Sequence, residues 1–159
     1  MVHIGLGANL GDRLQALRSA VTALERHGTI VARSSLWETE AIGPPPDYLN
    51  AAVALETELE PEALLDALLA IEIEHGRVRT NARDAPRTLD LDILLWEERV
   101  IVHQRLEVPH PRLAERAFAL EPLAEIAPTL RHPLLHRNIA DLRAALVRNR
   151  RARRITDTF

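Results

Sequence analysis

Apolar and polar positions alternate most strictly in residues 85–96 (APRTLDLDILLW), where Leu89, Leu91 and Ile93 interleave with Asp90 and Asp92. A period of two is that of a β-strand. Asp90 and Asp92 then point to one face, with Cα atoms roughly 6.5–7 Å apart. Shorter strand-like runs cover residues 3–7, 29–38 and 48–58. Between them the period changes. Asp12 is placed to cap a helix whose stripe is Leu14, Leu17, Val21 and Leu24, and Gly28 ends it. Pro61 opens a second helix with Leu64, Leu68 and Ile71 in one row. Leu65, Leu69 and Glu72 lie beside that row, and Gly76 stops the helix. The order β-α-β-β-α-β predicts an α+β fold with a ferredoxin-like core. Glu97 and Glu98 read as a turn, and residues 100–102 as a short hairpin partner. Pro109 and Pro111 fix the chain around His110, and Arg116 and Phe118 fall in a short helix or turn. Residues 122–127 predict another short helix, and Asn138 caps a last one bearing Ile139, Leu142 and Leu146. These are C-terminal helical additions to the core. Residues 148–159 read as a flexible arginine-rich tail, and 1–159 as a single domain.

Composition narrows the classes. The 159 residues carry a net charge of −3, which argues against a nucleic-acid partner. There is no cysteine, so disulfides and thiolate–metal sites are excluded. No apolar stretch approaches a membrane span, and the first residues do not read as a signal peptide. A cytoplasmic monomer without membrane or nucleic-acid partners is the expectation. The sequence also has no lysine. Phosphate contacts must therefore come from arginine, histidine or backbone N–H.

The candidate chemistry begins with Asp90 and Asp92. Two carboxylates this close repel unless a cation lies between them. Mg²⁺ suits that place, since it takes oxygen ligands and leaves positions for phosphate oxygens. Arg77, Arg79, Arg83 and Arg87 come just before the strand, and this pairing of charges suits a metal–polyphosphate substrate. A solvated strand face with surface arginines is the alternative. The run GLGANLG has neither the dinucleotide nor the Walker A spacing and reads as a strand-to-helix turn. The proline-rich loop of residues 39–47 is either a connector or one wall of a site. Asn50 is either a cap or an amide offered to a ligand, and Phe118 either core or a stacking platform.

GLGANLGDR, PDYLNAAVALET, IEIEHGRVR, APRTLDLDILLW and VPHPRLAERAFALEPLAEIAP together resemble the 6-hydroxymethyl-7,8-dihydropterin pyrophosphokinases of folate biosynthesis, in the family's order. The resemblance implies transfer of pyrophosphate from ATP to the pterin's hydroxymethyl oxygen, with AMP as the other product and two Mg²⁺ ions assisting. It implies that Asp90 and Asp92 bind both metal ions, and that Arg77 and Arg87 act on the ATP phosphates during catalysis. Glu72, Arg79, Ile93, His110 and Arg116 resemble further ATP contacts. Asn50 matches a residue that hydrogen-bonds the pterin, Tyr48 and Phe118 match ring-stacking neighbours, and Thr39, Ile42 and Gly43 line the same pocket. The chain departs from some members at Leu69, Asp84 and Pro111, and at Glu40 and Ala41, where prolines are common. Residues 39–47 and 77–86 are the expected lids. Two other classes compete: a non-catalytic ferredoxin-like binding module, and an RNA-recognition sheet. The second needs aromatics on central strands and a basic face, and the chain has few of either there.

Overall fold

The computed structural model describes residues 1–41, 45–76, 88–146, 152–155 and 159. Strand β1 (Val2–Ala8) leads to helix α1 (Arg13–Leu24), then β2 (Thr29–Arg33), β3 (Leu36–Thr39) and β4 (Tyr48–Glu56). Helix α2 (Pro61–Glu74) precedes β5 (Asp90–Trp96), and β6 (Ile101–Val102) and β7 (Glu107–Val108) follow. Helices α3 (Ala117–Ile126) and α4 (Ile139–Ala144) and strand β8 (Ala152–Ile155) complete the described elements. The result is a mixed α/β architecture on one antiparallel sheet, ordered β5-β1-β4-β3-β8 with β2 also on β4.

The expected strand over residues 29–38 is interrupted. Ser34 accepts the Ala52 N–H through its hydroxyl and gives its own N–H to the Ala52 carbonyl, both at 2.9 Å. A side chain thus replaces one backbone partner, and the strand divides into β2 and β3 along the same neighbour. The short strand β6 pairs with β7 in a separate two-stranded sheet, so it is not the hairpin partner of the Asp strand. Residues 122–127 do not start a new helix. Pro122 lies inside α3, which begins at Ala117. Part of the expected flexible tail is strand β8, seated on β3 and tied to it by the Arg153–Glu38 ion pair.

Directly opposed residues of an antiparallel pair project to the same side. Val2, Ile4, Leu6 and Ala8 of β1 therefore share a face with Leu49, Ala51, Val53 and Leu55 of β4 and with Leu91 and Ile93 of β5. All are buried in one core with Leu17, Val21 and Leu24 of α1 and Leu64, Leu68 and Ile71 of α2. The predicted helix stripes are the ones that fill it. Between His3 and Ile4 the β1–β5 register shifts by one residue. This bulge lets the consecutive residues Leu94 and Leu95 both serve the opposite face. There they pack with Leu113, Leu120, Leu123, Ile139 and Leu142 in a second core. The C-terminal helices therefore cover the sheet face that carries Asp90 and Asp92, and the candidate site residues lie on that face beside them.

Candidate active site

Three strands place the candidate residues in one row. Gly7 of β1 is opposed to Asp90 of β5 on one side and to Asn50 of β4 on the other. Asn50 is in turn opposed to Trp37 of β3. One step along, Gly5 lies between Asp92 and Ala52. Asp90, Asp92 and Asn50 thus share a face, and the two carboxylates stand beside the glycine positions of β1, where the Leu94 side chain lies over Gly5. Both aspartates are partly exposed, whereas Asn50 is buried.

Asn50 is mid-sheet and caps nothing. Its Nδ2 donates to Thr39 Oγ1 at 2.5 Å, so the amide is oriented by a buried hydroxyl. A Cβ placed on Gly7 would lie 2.8 Å from Asn50 Oδ1 and 3.6 Å from Tyr48 Cδ1. Both side chains therefore lean over Gly7. Gly7 lies inside β1, as the strand-like run over residues 3–7 predicts, and leaves room for the amide.

His110 follows β7, and its N–H donates to the Leu94 carbonyl at 2.9 Å. Burial pushes its pKa down to about 4; Arg116 and Arg112 push the same way, and Asp90 opposes them. The ring is neutral at physiological pH. Its Nδ1 accepts the Arg112 N–H at 3.3 Å, which leaves the proton on Nε2. His110 therefore offers a donor without adding charge. Arg116 immediately precedes α3, and its guanidinium lies over the Phe118 ring, 5.3 Å from its centroid. Phe118 also packs against the second core, so it is core-anchored as well as a ring beside a guanidinium.

Two expected ATP contacts have other duties. Glu72 is 1% exposed, and its Oε2 accepts the Leu91 N–H at 3.0 Å. The carboxylate thus holds the outer edge of the Asp strand in place. The Ile93 side chain is committed to the helix-side core, which leaves only its backbone for a ligand. Ile42, Gly43, Arg77, Arg79 and Arg87 lie outside the described residues, as do Arg83 and Asp84. Sequence reasoning passed over Gly7 and Trp37. Two glycines two apart in a strand-like run, and a tryptophan alternating with Thr39, were the available signals.

The donor chemistry fits Mg²⁺. Asp90 and Asp92 supply hard oxygens from one face, and among the described residues they belong to no larger His, Cys, Asp or Glu cluster. Two carboxylates leave most of an octahedral shell to phosphate oxygens and water, as in nucleotide sites.

Residues 3–128 match the family model described as 7,8-dihydro-6-hydroxymethylpterin-pyrophosphokinase (HPPK). A Pseudomonas aeruginosa protein named 2-amino-4-hydroxy-6-hydroxymethyldihydropteridine pyrophosphokinase is 47% identical over 136 residues, which is 83% of each chain. A Bacillus subtilis protein of the same name is 46% identical over 130 residues, 79% of this chain and 77% of that one. Among solved structures, Plasmodium falciparum HPPK-DHPS, wild type with SDX-DHP, is similar with a TM-score of 0.69 at 15% identity. That likeness is one of fold, and it covers 90% of this chain but 43% of the other. The match over residues 3–128, with relatives this similar over most of their length, places the chain in the 7,8-dihydro-6-hydroxymethylpterin-pyrophosphokinase family.

Proposed function

We propose that the family's reaction takes place on the glycine strip between Asp90 and Asn50. The chain transfers pyrophosphate from ATP to the hydroxymethyl group of 6-hydroxymethyl-7,8-dihydropterin, giving AMP and the pterin diphosphate. The observation that carries the placement is the row Asp90–Gly7–Asn50. Two strand spacings separate its ends, about 10 Å. That span suits a two-ring heterocycle gripped at its far edge by an amide, with its one-carbon arm reaching the carboxylates.

In this reading Asn50, oriented by Thr39, recognises the ring's donor–acceptor edge, and Tyr48 and Phe118 flank its faces. Asp90 and Asp92 hold Mg²⁺, two ions in the full complex; bound there, the metal lowers the pKa of the hydroxyl and neutralises phosphate charge. The hydroxymethyl oxygen forms the new bond to the β-phosphorus as the bond to the α–β bridging oxygen breaks, and AMP leaves. Arg77, Arg79 and Arg87 brace the phosphates. Arg116 and the Nε2–H of His110 act beside them, and Glu72 contributes by fixing the strand that carries both aspartates. The topology supports a ferredoxin-like core, with β2 and β3 counted as one interrupted strand and α3 and α4 as additions. The protein is read as a cytoplasmic monomer; among the described residues no helix is long and apolar enough to cross a membrane.

The test is product identity. ATP and 6-hydroxymethyl-7,8-dihydropterin with Mg²⁺ are expected to yield AMP and pterin diphosphate, and chelation with EDTA to stop the reaction. ADP as product would make this a different phosphotransferase. Binding without turnover would favour a ligand-binding module. The placement of the pterin has its own check at Gly7. Gly7→Ala puts a methyl group 2.8 Å from the Asn50 amide oxygen, which must give way. With the amide displaced from the ring edge, the pterin KM is expected to rise roughly tenfold, with ATP KM little changed. Equal changes in both constants would argue against the placement.

A further inference from the structure

Arg13 is the first residue of α1, delivered there by the cap that Asp12 makes on the Gln15 N–H at 3.0 Å. Its guanidinium makes two contacts to different sides of one opening. Nη2 donates to Glu38 Oε2 at 2.9 Å, and Nη1 donates to the Asp47 carbonyl at 2.8 Å. Glu38 is the penultimate residue of β3, and Asp47 immediately precedes β4. The residues next to them are Thr39 and Tyr48, which are paired across the two strands. Thr39 orients Asn50, and Tyr48 leans over Gly7. Arg13 therefore spans the mouth of the β3–β4 connection, directly behind the three side chains assigned to the pterin.

The other oxygen of Glu38 belongs to the far end of the chain. Arg153 of β8 donates to Glu38 Oε1 at 3.1 Å. Its neighbour Arg154 donates to Ser35 Oγ at 3.0 Å just before β3, and Glu125 of α3 accepts from the Ser35 N–H and from Trp37 Nε1 of β3. Each carboxylate oxygen of Glu38 thus has its own guanidinium, and the two together hold its pKa below the usual carboxylate range. Asp47 Oδ1 in turn accepts the Ala41 N–H at 3.2 Å, closing the base of the connection from inside.

We infer that Arg13 is a positioning residue for pterin binding: by bridging Glu38 and the Asp47 carbonyl it fixes the separation of β3 and β4 where Thr39, Tyr48 and Asn50 meet, and Arg153 of the C-terminal strand completes the clasp by holding Glu38. The arginine fork is what makes this work, since two parallel donors can serve two acceptors that a single ammonium cannot bridge at fixed spacing. The inference rests on the pterin lying at Asn50. Its readout is specific to one substrate because the phosphate-facing aspartates are two strands away.

The experiment measures kcat and both KM values for Arg13→Ala, Arg13→Lys, Arg153→Ala and Asn50→Ala in the full chain. Arg13→Ala is expected to raise pterin KM roughly tenfold while ATP KM stays within about twofold, and Arg13→Lys to recover little of the loss. Arg153→Ala is expected to raise pterin KM by about threefold, because Glu38 keeps one partner. A pterin KM unchanged in Arg13→Ala, or both KM values raised alike, overturns the inference. Should Arg13→Ala fail to fold, equilibrium pterin binding to Arg13→Lys and Arg153→Ala decides in the same way. An Asn50→Ala variant with normal pterin KM brings down the site placement and the clasp together. A responsive Asn50 with a silent Arg13 removes the clasp alone.

Discussion

Asp92→Ala is expected to lower kcat/KM by at least about a thousandfold, equivalent to about 4 kcal/mol of transition-state stabilisation, while the protein stays folded. The size of the effect follows from what the side chain does. It supplies half of the carboxylate pair on the β5 face, and its backbone pairing with Gly5 does not depend on the carboxylate. On the proposed reading, removing it would take away oxygen donors for Mg²⁺ and leave the phosphate charge near β5 uncompensated. The apo protein is expected to stay folded, because β5 is held on β1 by its backbone pairing. In the wild type, Mg²⁺ with an ATP analogue is expected to raise the melting temperature by mass action, and the variant to lose that increment. Asp92→Asn, which keeps shape and loses charge, is expected to behave like the alanine variant. A variant that retains near-wild-type turnover and its Mg²⁺-dependent stabilisation would remove the aspartates from the reaction.

The legible parts of this molecule were those where period and chemistry agree. Leu17, Val21 and Leu24, and Leu64, Leu68 and Ile71, are the buried stripes of α1 and α2 because helical spacing decides which side of a helix can be buried. Asp90 and Asp92 share a face because a strand has a period of two. What could not be read was the cost or use of a contact across strands. In one dimension Asn50 reads as either a cap or an amide offered to a ligand, and only the Thr39 that β3 brings to it shows an oriented amide. Glu72 has the position of a stripe-edge carboxylate, yet it serves the backbone of an edge strand 19 residues away in sequence. The arginines of residues 152–155 carry no apolar pattern to announce a strand. Glu38 and Glu125, far earlier in the chain, supply the opposite charge that seats them on β3. Long-range polar contacts leave no periodicity behind.

Gly28→Ala is expected to destabilise the fold by about 3 kcal/mol, without loss of specific activity in the protein that remains folded. The sequence presents Gly28 as a helix stop. The structure gives it a second role, because a Cβ there would meet the Glu56 carbonyl oxygen at 2.1 Å and its carbonyl carbon at 3.0 Å. The obstacle is backbone, so no side-chain rotation relieves it. Glu56 is also the residue paired with Thr29, so moving it breaks the first rung of β2 on β4. The adjoining anchor, in which Thr57 Oγ1 donates to the His27 carbonyl at 2.7 Å, is disturbed with it. A loss of this size corresponds to a melting temperature lowered by about 6–12 °C in a chain of this length. The candidate row meets β4 at Asn50, six residues from Glu56 at about 3.3 Å each, or roughly 20 Å away. KM values for both substrates are therefore expected to match the wild type when measured well below the melting transition. A shift of less than about 2 °C would mean that the approach of residue 28 to Glu56 relaxes at little cost, and that the helix stop alone explains the glycine.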